Sequence, residues 1–327
     1  MNFNSILGQN SALKIIQADM KGGNLSGAYL FSGPSGVGKL MAGVSFAKAL
    51  NCKEDNLIGC ERCSSCIKME KSNHPNLRLI SPEGKSIKID QIRNLKIESG
   101  YTLYEGKKKV WIINEAEMLT QEAVNSLLKI LEEPPNNVII ILITHVPTSF
   151  PSTILSRCRI VQFVALSHQC LSEILKKRNE VTPHLIPLIS ELAQGSMSEA
   201  LKFTQEKDIF QEREIIFKLI QKRKSLSLEV FKLSERWSAK KNSIETLLNM
   251  VLFFLRDILM LKVGTSFALF NQDKKDELFA IKDVYSFSDV YKGIEAVEES
   301  KIFLRANVST QLVLEGMWIK IIYPECA

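Results

Sequence analysis

No apolar run in the sequence is long enough to cross a bilayer. One such run, residues 251–255, is closed by Arg256 and Asp257, against the ~20 residues that a spanning helix needs. The opening Met-Asn-Phe-Asn-Ser-Ile-Leu has no basic segment leading into an apolar one. No export signal is read there, and a cytoplasmic protein with no membrane partner is expected. Internal repeats and low-complexity tracts are absent. Strong charge is also lacking. The net charge is +6, from 42 basic and 36 acidic side chains, which fits occasional contact with nucleic acid or acidic proteins without calling for it. Histidine is scarce, at four residues. With no export signal, the seven cysteines are not read as disulfides.

What is present fills 327 residues, room for two or three domains. The apolar share of 45% and charged share of 24% are those of an ordinary globular protein. An apolar run, residues 28–31, leads into Gly33-Pro34-Ser35-Gly36-Val37-Gly38-Lys39-Leu40, and a helical pattern follows to residue 50. A strand, a glycine-rich turn and a helix start aim backbone N–H groups and a helix N-terminus at an anion. Lys39 would reach the outer phosphates of a bound nucleotide. Position 40 is Leu, where such a loop needs Ser or Thr to hold Mg²⁺. A structural turn is the competing reading.

Cys52, Cys60, Cys63 and Cys66 come next. Thiolates two residues apart share one tetrahedral ion, and a more distant Cys closes the shell. No His lies inside the cluster, so a four-sulfur Zn²⁺ site is the reading, with one ion per chain. Four protein ligands leave no open position, so its role is structural. A redox or iron–sulfur site fits less well, because the longer ferredoxin spacing is missing. Unrelated buried thiols remain an alternative.

Further strands are expected at residues 77–80, 110–113, 138–143 and 160–163. A first helix is capped by Asn10 or Ser11 and ended by Gly22-Gly23. Another starts near Asp90, and one capped by Thr120 runs to Glu132-Glu133-Pro134-Pro135, because proline disfavours helix in the residue before it. The strand at 110–113 ends in Asn114-Glu115-Ala116-Glu117. A Mg²⁺-nucleotide site takes its acidic residues from such a strand end. Asn114 stands in the first acidic place, and Glu115 where a water-activating carboxylate would be. Thr144 and His145 follow the strand at 138–143, where an open parallel sheet meets ligands. Lys222–Lys224 is read as a solvated face. From residue 167 the alternation ends. Helices are expected at 169–177, 182–192 and 196–204, and then to the end of the chain. The fold class is therefore α/β for the first half and all-helical for the second.

These motifs together resemble one family. Gly-Pro-Ser-Gly-Val-Gly-Lys at 33–39, the cysteines at 52–66, Asn-Ser-Leu-Leu-Lys-Ile-Leu-Glu-Glu-Pro-Pro at 125–135 and Thr-Ile-Leu-Ser-Arg-Cys at 153–158 look like the clamp-loader subunits of bacterial DNA polymerase III, in the AAA+ class. The motifs cover about residues 1–205. The resemblance implies an AAA+ domain over 1–166, a parallel sheet with helices on both faces, carrying the zinc module at about 50–70. It implies a small helical lid at 167–206 and an all-α oligomerisation collar at 207–327. It also implies DNA replication as the setting, with gamma/tau and delta subunits as partners in a hetero-pentamer, which opens a sliding clamp and loads it on primed DNA.

Within the family, the hydrolysing gamma/tau type has Thr or Ser after the loop Lys, Asp-Glu after the second strand and Arg in a Gly-Ser-Leu-Arg-Asp-Ala lid pattern. Here Leu40, Asn114 and Ser198 of Gly195-Ser-Met-Ser-Glu-Ala200 take those places. Three departures on three phosphate or metal contacts imply the non-hydrolysing delta-prime type. Its own ATPase would be weak or absent, ATP or ADP held weakly, and Mg²⁺ doubtful. By the same resemblance, Arg157 would be an arginine finger offered in trans to a neighbour's ATP. An ion pair within its own domain is the alternative. The runner-up for the whole chain is a gamma/tau-like motor.

Overall fold

Residues 138–144 are Val-Ile-Ile-Ile-Leu-Ile-Thr, and every one of them is buried in strand β4 (Val138–Thr144). A continuous apolar run of this kind belongs in the middle of a parallel sheet, covered on both faces. The structure, a computed structural model, describes residues 2–54, 57–99, 108–179, 181–205, 207–222, 228–239, 243–265, 269–306 and 308–323. Residue 107, residues 223 and 224 of the basic stretch, and Cys326 lie outside them.

Five parallel strands line up in the order β2-β3-β4-β1-β5. They are β1 (Ala28–Ser32), β2 (Leu77–Ile80), β3 (Lys109–Ile113), β4 and β5 (Arg159–Gln162). Alternate side chains of each strand face opposite layers. Tyr29, Phe31, Ile112, Ile139 and Ile141 join the core that holds α1 (Asn10–Lys21) and α2 (Lys39–Asn51). Leu30, Trp111, Ile113, Ile140 and Leu142 join the opposite core with α4 (Ile89–Ser99) and α5 (Gln121–Glu132). The last is capped as expected, with Thr120 Oγ1 accepting from Ala123 N–H at 3.3 Å. α3 (Ser64–Glu70) follows α2, and the single turn α6 (Ser152–Leu155) precedes β5.

Three expectations shift. The cap of α1 is Gln9, and no side chain caps it. Asn10 is already helical, and the Gln9 amide instead brackets Val164, accepting from its N–H at 3.1 Å and donating to its C=O at 2.7 Å. The last strand begins at Arg159 because its register is set by pairing with Tyr29–Ser32. Residues 182–192 form a 3₁₀ turn, Pro183–Leu185, and then α8 (Ile186–Leu192). Pro187 has no N–H for the α ladder, so one continuous helix cannot form.

Two compact units result. One comprises residues 1–170 with 195–198; the other comprises 171–194 with 199–327. The helices α7 (His168–Arg178), α8 and α9 (Met197–Gln205) precede α10 (Lys207–Gln221), α11 (Leu228–Ala239), α12 (Ile244–Lys262), α13 (Lys275–Ile281), α14 (Phe287–Arg305) and α15 (Thr310–Ile322). In the second unit α12 packs on α10 and α14, and α15 on α11 and α14. Trp237 meets Trp318 there at 6.0 Å between ring centres. Beneath lies a buried polar knot. Asp257, fully buried, accepts from the N–H groups of Phe270 (3.0 Å) and Asn271 (2.8 Å) and from Asn271 Nδ2 (2.8 Å). Asn271 Oδ1 in turn accepts from Arg213 Nε and Nη2, and Arg213 Nη1 reaches Asp273 at 2.8 Å.

Candidate functional site

The glycine-rich loop hangs between β1 and α2. A Cβ at Gly33, where φ is 142°, would come within 2.2 Å of the Phe163 carbonyl oxygen, so only glycine fits where the loop passes β5. Lys39 opens α2 and is 7% exposed. Its ammonium donates to the Gly33 and Pro34 carbonyls, each at 2.5 Å. Burial pushes it down to about 8, against the pull of the Glu117 charge. Val37 is buried, while Pro34 and Ser35 lie further out. Leu40 packs against the core under β1 and offers no oxygen to a cation.

Strand register brings the other candidates to the same sheet edge. Thr144 lies opposite Ser32. It is buried, and its hydroxyl accepts from Val146 N–H at 3.0 Å. Asn114 follows β3, its N–H donating to Ile80 C=O at 2.8 Å. Glu115 is exposed, with φ of 52°. The carboxylate that turns inward is Glu117, whose side chain is 7% exposed and contacts His145 Nδ1. The sequence reading passed over Glu117 as a site residue. The only signal for it was a second acid two residues after Glu115, on the turn Ala116–Met118.

The four cysteines converge. Their sulfurs all lie within 4.8 Å of one another, Cys60 Sγ and Cys66 Sγ at 4.0 Å. A tetrahedral ion with metal–sulfur bonds near 2.3 Å needs sulfurs about that far apart. Backbone N–H groups point at the sulfurs: Cys60 N to Cys52, Cys63 N to Cys60 and Cys66 N to Cys63, at 3.3 to 3.4 Å. Such donors favour thiolates. Their effect prevails at Cys63, where burial raises the thiol but N–H groups of Lys53 and Cys66 outweigh it and hold it down at about 6, whereas burial keeps Cys60 and Cys66 raised. The cluster could hold a metal ion, and four thiolates suit a borderline-soft one. Its base is tied down. Buried Lys48 donates to Glu70 at 2.7 Å, and Asn51 Nδ2 donates to the Lys108 carbonyl at 2.9 Å.

Arg157 stands apart from this loop, at the end of α6. Its Nη1 donates to the Thr153 carbonyl at 2.9 Å and its Nη2 to Glu132 Oε1 at 3.1 Å. The guanidinium is still about a third exposed. Its neighbour Cys158 lies in the core, where burial pushes the thiol up to about 11.

An open parallel sheet in this order, with a glycine loop after β1 and an arginine-bearing turn before the edge strand β5, places this part of the chain in the α/β class. The family model described as DNA polymerase III, delta subunit, matches residues 8–167, and the one described as its C-terminal part matches residues 207–321. DNA polymerase III subunit delta' of Bacillus subtilis is 33% identical over 315 residues, 94% of each chain. Subunit tau of Escherichia coli is 34% identical over 211 residues, 62% of this chain and 32% of tau. Among solved structures, a gamma subunit-related protein of Thermotoga maritima has 19% identity and a TM-score of 0.46, covering 94% of this chain and 97% of its own. The chain belongs to the delta-prime family of DNA polymerase III clamp-loader subunits. No helix among the described residues is long and apolar enough to cross a membrane.

Proposed function

We propose that this chain is a stator of the clamp loader. It would hold no working ATPase of its own and would supply Arg157 to the ATP of an adjacent gamma/tau subunit. The observation that carries this is a contrast between two sites. Leu40 packs against the core and Asn114 stands in a carboxylate's place, while Arg157 keeps a planar cationic fork at the surface just after the single turn α6. Arginine suits that role because it stays charged and binds oxyanions through two donors. The Glu132 contact is then a parking place that a γ-phosphate, with more negative charge, would outcompete.

In this reading residues 1–166 are the AAA+ domain, 167–206 the lid and 207–327 the collar that holds the chain in a hetero-pentamer with gamma/tau and delta. The complex would open a sliding clamp and load it on primed DNA in the cytoplasm. The four cysteines would bind one Zn²⁺ and stiffen the excursion after α2. Gly33 to Lys39, with Thr144, would hold ADP or ATP weakly and without Mg²⁺.

The test is the DNA-stimulated ATPase of the reconstituted complex with Arg157→Ala. Turnover at the served site should fall by about 10³-fold, as for other trans fingers. Unchanged turnover would reject the finger. ATP hydrolysis by the isolated chain, lost in Lys39→Ala, would establish the motor reading instead.

A further inference from the structure

The phosphate loop is covered by a stretch of its own chain. Residues 195–198 fold with the loop in the first unit, although about 160 residues separate them along the sequence. Met197 N–H donates to the Gly36 carbonyl at 2.9 Å. At Gly36, where φ is 71°, a Cβ would lie 2.1 Å from Ser198 Oγ and 2.3 Å from Ser196 Oγ. The two hydroxyls are 3.0 Å apart. The stretch is itself anchored, because the Gly195 carbonyl accepts from Leu166 N–H at 2.9 Å. The loop's cation is engaged as well: Lys39 donates to Gly33 and Pro34 rather than pointing its ammonium at open solvent.

We propose that Gly195–Ser198 is a latch that holds the phosphate loop closed, so that a nucleotide's phosphates gain the loop only when the latch lifts. This rests on the reading of residues 33–40 as a nucleotide loop. The physical content is a competition. An entering diphosphate takes Lys39 from the two carbonyls, and the loop reshapes around it, which the Met197–Gly36 hydrogen bond and the two serines on Gly36 resist. Ser198 stands where the hydrolysing relatives' lid pattern carries Arg. A neutral hydroxyl pressed on the loop secures the closed form, whereas an arginine would reward the filled one.

Met197 is the first residue of α9, a position where proline is tolerated because that N–H has no partner within the helix. Met197→Pro therefore removes the latch hydrogen bond without costing the helix one, and Met197→Ala, which loses the side chain but keeps the N–H, is the control. Amide hydrogen exchange of residues 33–38 in the full chain should rise about fivefold or more in Met197→Pro, the worth of one hydrogen bond, and stay put in Met197→Ala. The pair Ser196→Ala with Ser198→Ala, which leaves the backbone untouched, should raise it by a smaller factor. Equal loop exchange in all variants overturns the latch. Calorimetric titration with ADP in the absence of Mg²⁺ reads the second half. Tighter binding to Met197→Pro than to the parent chain supports the latch, and measurable but equal binding to both overturns it. A loop that loosens in Met197→Pro while no variant binds ADP leaves the latch standing and rejects the nucleotide reading of the loop.

Discussion

Glu132 holds Arg157. The carboxylate sits at the end of α5, just before the Glu133-Pro134-Pro135 stop, and takes the Arg157 Nη2 donor at 3.1 Å. The two residues come from two motifs 25 positions apart in the sequence, and the fold makes them partners. Both side chains are a third or more exposed, and such pairs are worth ~0–1 kcal/mol.

That weakness makes a sharp prediction. Glu132→Gln should leave the melting temperature of the chain nearly unchanged, and should leave the DNA-stimulated ATPase of the assembled complex within about twofold. Arg157→Lys should lose nearly as much turnover as Arg157→Ala, because an ammonium keeps the charge but not the fork. A fully active Arg157→Lys complex would show that charge alone is needed.

The metal reading predicts about one Zn²⁺ per chain by elemental analysis. Cys66 is fully buried among the four sulfurs. Cys66→Ser or prolonged chelation should release the ion, lower the melting temperature, and increase proteolysis between residues 52 and 70. Sites of this kind contribute directly to local folding. Metal-free chain with unchanged proteolysis in that stretch would contradict it.

Lys39 gives a pH signature. Its folded value, about 8, lies below the ordinary 10.5 because of burial. Between these two values the unfolded chain binds the extra proton, so the group's contribution to stability rises with pH across that window. Measured against Lys39→Met, the parent chain should gain about 1–2 kcal/mol between pH 7.5 and 9.5. Urea unfolding of both proteins at the two pH values tests this; a flat difference would place the ammonium in water.

The knot in the second unit predicts a large local cost. Removing Asn271 leaves Asp257 and Arg213 without the amide that joins them, and both are buried. Asn271→Ala should destabilise the chain by about 3 kcal/mol, read as a drop in the urea midpoint. A change under about 0.5 kcal/mol would mean that the knot is dispensable.

The sheet was legible because β3 and β4 are unbroken apolar runs with turn signals at both ends, and Thr120 and the Pro134 stop bound α5. The cysteine spacing gave the cluster directly. The sequence did not yield which acid turns inward. Glu115 and Glu117 share a four-residue stretch, and a left-handed residue at 115 followed by a 3₁₀ turn decides between them. Nor did it yield the Met197–Gly36 contact, which depends on tertiary placement of residues with no charge or periodicity to mark them. Likewise nothing in the sequence marks Gln9, and only the fold shows it bracketing Val164.

The register of β1 has a consequence for how the chain is made. Ala28 lies opposite Ile140, and Tyr29 opposite Arg159. The first strand to leave the ribosome therefore waits for roughly 110 to 130 further residues, about ten seconds of synthesis, before either neighbour exists. The cysteine loop, closed within fifteen positions, can be complete long before. During that wait Ala-Tyr-Leu-Phe-Ser is an apolar segment with both edges unpaired, although in the finished sheet β4 and β5 flank it on either side.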